Sequence, residues 1–88
     1  MLPQTLDQAV DWLLNELSQE EQIILRGVAF DDLIGFHHSL GQFLRNKLGM
    51  WDGNDELVRS CCVGDELHPD TASQTIIEVA WTRLQARS

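Results

Sequence analysis

Between Asp32 and Leu48, the residues Leu33, Phe36, His37, Leu40, Phe43, Leu44 and Leu48 cover an arc too wide for a helix that rests on a single neighbour. Ile34 widens it further. A helix over about 32–48 with such a stripe needs partners on several sides, so the pattern predicts the centre of a bundle. Asp31 is the expected N-cap and Gly49 the expected C-cap. Gly35 and Gly41 each cost a helix roughly 1 kcal/mol against alanine, and glycines kept at that cost point to close approach of another helix. The narrow polar strip that remains carries His38, Gln42, Arg45 and Asn46.

Around this segment the sequence predicts four shorter or flanking helices. The first runs from about Leu6 to Leu17, with Leu6, Ala9, Val10, Leu13, Leu14 and Leu17 on one stripe and Trp12 well off it. Thr5 followed by Gln8 fits a capping box, as does Ser18 followed by Glu21 at the head of a second helix over about 19–26. In that second helix Glu20 and Glu21 complement the dipole, Gly27 is the expected stop, and Ile23, Ile24 and Val28 are expected to face inward. A turn, GMWDGN, leads to a short helix over about 55–62 with Asn54 as its expected cap, and Trp51 is expected to fold back over the bundle. Pro69 suits the first position of a last helix, whose inner stripe is Ser73, Ile76, Ile77, Ala80, Trp81 and Leu84, closed by Arg83 and Arg87. No stretch alternates with the period of a strand. The expected fold is therefore one all-α domain spanning 1–88, an irregular bundle of four to five helices around the long segment at about 32–48.

At 88 residues and 10.0 kDa there is room for one core and no more. A net charge of -8 excludes a protein that coats nucleic acid, which needs clustered Lys and Arg, and disfavours binding to an anionic membrane. No apolar run approaches the ~20 residues of a membrane helix, and the N-terminal MLPQTLDQAV lacks the basic start and apolar core of a signal peptide. A cytoplasmic location is expected. The adjacent Cys61 and Cys62 are expected to be reduced, small apolar side chains.

Several polar residues invite chemistry. His37 on the apolar arc reads either as a buried base or as a core histidine hydrogen-bonded to backbone or carboxylate. Arg45, two turns from His38 on the polar strip, reads as an anion contact or as the partner of an acid. His68-Pro69-Asp70 is first a helix start, and a functional reading would set His68 and Asp70 beside Arg45. The cysteines and histidines fit no tetrahedral metal spacing, and no nucleophile elbow or phosphate loop is present. No cofactor or metal is expected, and nothing reads as a catalytic residue. Trp12, ringed by Asp7, Asp11, Glu16, Glu20 and Glu21, is the best candidate for an exposed contact surface, because tryptophan is enriched at interface hot spots.

The strings TLDQAVDWLL, LIGFHHSLGQFLRN with LGMWDGN, and HPDTASQTIIEVAW resemble a small bacterial family of helical domains of unknown function. The resemblance covers Thr5 to Leu84. Its more specific runs fall on His37, Ser39, Leu40, Gly41, Arg45, Asn46, Gly49, Trp51 and Asn54, and on His68, Pro69, Asp70 and Ser73. It implies a folding unit of bacterial origin and carries over no catalytic role. Two readings of the polar signature stay open. It is either one buried hydrogen-bond network locking the long helix to the loops that follow, or a ligand pocket built from His37, Arg45, Asn46, Trp51, Asn54, His68 and Asp70. The functional expectation is a small acidic, non-enzymatic interaction module for a basic protein partner. The alternative is a small-ligand or hydrolytic site in the polar cluster; a nucleic-acid mimic and a homodimer are further readings.

Overall fold

A computed structural model describes residues 2–62 and 67–86. Its helices run in the order α1 (Leu6–Glu16), α2 (Gln19–Gly27), α3 (Gln42–Lys47), α4 (Asp55–Cys61) and α5 (Pro69–Ala86). A 3-10 turn over Phe30–Phe36 and a π turn over His37–Gly41 lead directly into α3. The fold is all-α, with no strand among the described residues.

The caps explain where α1 and α2 begin. Thr5 Oγ1 accepts the N–H of Gln8, but Gln8 Oε1 takes the N–H of Gln4 instead of Thr5, so only half of the expected box forms. The Ser18–Glu21 box is complete, at 2.9 and 3.1 Å. Between the two helices, the Gln22 amide donates to the carbonyls of Leu14 and Leu17, satisfying acceptors that the end of α1 leaves open.

Three helix expectations are corrected. α2 turns Leu25 into the core and leaves Ile23 and Ile24 exposed, because three consecutive apolar residues span about 200° of a helix and cannot all face one way. Gly27 ends α2 inside the last turn, without a left-handed residue; Val28 simply turns extended. The expected helix at 32–48 is instead a helical stretch over 30–47 wound in three ways, and its N-cap is Ala29, with no side-chain cap bond, where Asp31 was expected. Gly49 does what the sequence says: at φ +67 it follows the end of α3, and the N–H of Met50 returns to the carbonyl of Arg45 at 3.1 Å, a Schellman closure.

The core is one cluster. α1 supplies Ala9, Val10, Leu13 and Leu14; α4 supplies Leu57, Val58 and Cys61; Leu33, Leu44, Leu48 and Met50 come from the middle segment and the turn after it. α5 adds Ala72, Ile76, Ile77, Ala80 and Leu84 and touches every other element. Trp81 is half-buried, its indole N–H donating to the carbonyl of Val28 at 2.7 Å. Each leucine or isoleucine buried here contributes roughly 1.5–3 kcal/mol over its exposed state. Cys61 and Cys62 are free thiols, and burial pushes the Cys61 thiol up to about 12. Arg87 lies outside the described residues.

Candidate functional site

Arg45 does not lie on a solvated face. It is only 6% exposed, reaching from the last turn of α3 toward the start of α5. Its Nη1 donates to Ser73 Oγ at 2.9 Å, its Nη2 to the carbonyl of His37 at 3.1 Å, and its Nε lies 3.3 Å from Asp70 Oδ1. Gly41 makes room for this: a Cβ built there would sit 2.9 Å from Arg45 Nη1 and 3.5 Å from Ser73 Oγ. The guanidinium therefore runs over a glycine, and its bond to a carbonyl of the widened π turn joins that turn to α5. Ser73, fully buried, is satisfied as well, donating to the carbonyl of Asp70 at 2.9 Å.

Asp70 is the shared neighbour of three cationic or potentially cationic groups. His37 Nε2 and His68 Nδ1 each lie 3.8 Å from its Oδ2, beyond hydrogen-bond length. His68 Nδ1 accepts the backbone N–H of Asp70 at 3.0 Å, which requires the tautomer with its proton on Nε2. His68 thus caps α5 in the way an asparagine would, and Pro69 and Asp70 fill the first turn behind it. General acid–base work needs contacts of about 2.6–3.2 Å to the reacting proton. Neither imidazole, nor any Ser or Cys side chain bonded to one, supplies such an arrangement among the described residues.

The other members of the expected pocket are split off. Trp51 is 57% exposed and does not fold over the bundle; its ring stands edge-to-face with that of His68, with centroids 5.8 Å apart. Asn54 stands at the N-cap of α4 as expected, but its side chain makes no cap bond. Its amide instead donates to the carbonyls of Leu48 and Pro3, at 2.7 and 2.9 Å, tying the start of the chain to the end of α3. Asn46 is exposed in an open groove of mixed polarity, with Leu2, Lys47 and Asn54. The structure brings His37, Arg45, Asp70 and His68 together, with Trp51 at the margin, and leaves Asn46 and Asn54 in a different place.

The expected surface around Trp12 is also rearranged. Trp12 is half-buried, stacked on Phe43 at 5.8 Å and 27°. Asp7 and Asp11 are both held by Arg83 from α5, at 2.7 Å each, so two of the acids expected to ring Trp12 are already paired. Glu16 stays exposed near the end of α1.

What Trp12 does is back one lip of an apolar groove that the sequence reading missed. This groove, about 380 Å3, opens between α2 and the π turn. Leu17, Leu25, Phe36 and Leu40 line it, and Ile24, 64% exposed, and Phe43, 37% exposed, stand at its lips. Glu21 is its one charged lining residue among those described. The Ser18 backbone N–H, and then its hydroxyl, hold the Glu21 carboxyl below its ordinary range, so it is anionic at neutral pH. The run Ile23-Ile24-Leu25 was the available signal, since at least one residue of such a run must face outward.

The family model described as Domain of unknown function (DUF6794) matches residues 2–84, and the chain belongs to that family. No curated protein and no solved structure matches it. No described helix is long and apolar enough to cross a membrane.

Proposed function

We propose that this member of the family is a small, non-enzymatic protein-interaction module of the bacterial cytoplasm, with a basic protein as its partner. The observation that carries this reading is the groove between α2 and the π turn, lined mainly by apolar side chains, with Glu21 and Ser39 among them and Ile24 and Phe43 exposed at its lips. Large apolar side chains left out of a core that had Leu25 and Leu44 to fill it mark a contact surface. The net charge of -8 favours a partner of opposite sign, which electrostatic steering would bring in quickly and salt would weaken. The contact surface is thus moved from Trp12, Asp7, Asp11 and Glu16 to the neighbouring groove, because Asp7 and Asp11 are occupied by Arg83. A ligand or hydrolytic site at Arg45 loses support from the same geometry, since its guanidinium is directed at Ser73, His37 and Asp70.

The test is a photo-crosslinking residue placed at Phe43 in host cells, with one at exposed Arg59 as control. A discrete partner captured at position 43, absent at 59 and lost with Ile24→Asp, supports the module. Capture of a second copy of this chain replaces the basic partner by a homodimer. Equal capture at both positions, or none at 43, removes the groove from consideration.

A further inference from the structure

We infer that the groove takes a short amphipathic helix, with apolar side chains seated between Ile24 and Phe43 and Lys or Arg side chains beside Glu21. This rests on the interaction-module reading and names the form of the partner.

The shape argues for a helix. Recognition by strand addition needs an exposed sheet edge with unpaired backbone groups, and the described residues contain no strand. The groove is instead built from residues of two helical walls. On the wall of the middle segment the lining residues Phe36, Leu40 and Phe43 stand at i, i+4 and i+7. This wall runs from the end of the 3-10 turn through the π turn to the start of α3, yet all three side chains line the same groove, and a partner helix laid along it presents its own apolar side chains at i, i+4 and i+7. Leu17 and Leu25 provide the apolar floor for those anchors.

The charge argues for a basic flank. Glu21 lines the groove, Glu20 precedes it on α2, and Glu16 stands one residue before the lining Leu17. Arg26, the cation of α2, lies at a separate depression with Gln19, Gln22, Ile23 and Leu84. A second copy of this chain would bring another net charge of -8 to the same acids, and like charges placed together oppose association. An acyl chain or a detergent would use the apolar floor without needing the acids.

The experiment uses the full chain, isotopically labelled, and three synthetic peptides of about 14 residues, roughly four helical turns. The first has Leu at i, i+4 and i+7 positions and Lys between them, the second is a scrambled isomer of the same composition, and the third carries Glu in place of Lys. The first peptide is expected to shift the resonances of Ile24, Leu40, Phe43 and the Trp12 indole, to become helical on binding, and to weaken with salt. The scrambled isomer should bind about tenfold more weakly or worse, as expected when seated anchors carry the energy, and the Glu peptide should not bind. Ile24→Asp, at an exposed position, should keep the melting temperature and lose the first peptide. Equal binding of the scrambled isomer, equal binding of the Glu peptide, or shifts confined to Asp7, Asp11, Asp31 and Asp32 would overturn the inference. If position 43 crosslinks a partner through an acidic or extended segment, the module stands and the helix falls; if it crosslinks nothing, both fall.

Discussion

Truncating Arg45 is the sharpest perturbation of this fold. In Arg45→Ala the two donated hydrogen bonds, to Ser73 Oγ and to the carbonyl of His37, disappear together with the 3.3 Å contact to Asp70. Hydrogen bonds from a charged donor contribute about 1.5–3 kcal/mol each. The lower end applies here, because Ser73 keeps its bond to the Asp70 carbonyl and is not orphaned. The Asp70 side chain is 44% exposed and regains water, so its pairing adds only about 0.5 kcal/mol. The packing of the arginine stem over Gly41 is lost as well. The expected cost is about 4 kcal/mol, at the upper end for breaking a buried polar network. For a domain of this size each kcal/mol lowers the melting temperature by about 4–8 °C, so thermal unfolding should fall by roughly 16–32 °C. Arg45→Met keeps most of the stem volume and should recover about 1 kcal/mol. Melting curves followed by circular dichroism decide it. An Arg45→Ala protein that melts within 2–3 °C of wild type (about 0.5 kcal/mol) would refute the account, and the guanidinium would have to be assigned a role other than bracing α5 against the π turn.

Four further outcomes follow from the same geometry. Gly41→Ala should destabilise by about 1–3 kcal/mol through the clash with Arg45, whereas Gly35→Ala, which meets nothing within 4 Å, should be neutral or slightly stabilising; paired denaturant titrations compare them. Arg83→Ala should cost no more than about 1 kcal/mol and less in high salt, since Asp7 and Asp11 are exposed; a large, salt-independent loss in chemical denaturation would contradict this. Thiol labelling of the native protein at mildly alkaline pH should modify half-buried Cys62 and spare Cys61, whose thiol is pushed up to about 12, until the fold is opened. The folded-state carboxyl of Glu21 is lowered, so its contribution is present above the unfolded carboxylate range and is lost as pH falls through the folded value. The stability gap between wild type and Glu21→Gln should therefore exist at neutral pH and close in acid.

What was legible in the sequence is what local chemistry decides. Ser18 and Glu21 name the start of α2, Pro69 names the start of α5, Gly49 names the end of α3, and the stripes of α1 and α5 name their inner faces. The winding of residues 30–41 was not legible, because nothing within that stretch forces a 3-10 turn and then a π turn. It accompanies a contact made at long range, Arg45 to Ser73 over Gly41, which no local pattern contains. The inner face of α2 failed for a related reason: with Ile23, Ile24 and Leu25 equally apolar, the choice belongs to the surface α2 lands on. The cluster of His37, Arg45, His68 and Asp70 was readable as a neighbourhood, whereas Asn54 was read as a member of that pocket and stands apart from it. The job of Asn54, holding Pro3 to Leu48, depends on a partner 51 residues away.

The contact of α5 with every other element carries a consequence for how the chain comes into being. Ala72, Ile76, Ile77, Ala80 and Leu84 are made last among the core residues, and before they exist α1 through α4 have only their smaller mutual contacts, such as Trp12 on Phe43, to close on. Helices of 6 to 11 residues are marginal on their own in water. During synthesis the first three quarters of the chain must therefore leave the ribosome as fluctuating, apolar-rich helix fragments, open to chaperones and to aggregation. The core is complete only once α5 has emerged and the others can gather on it.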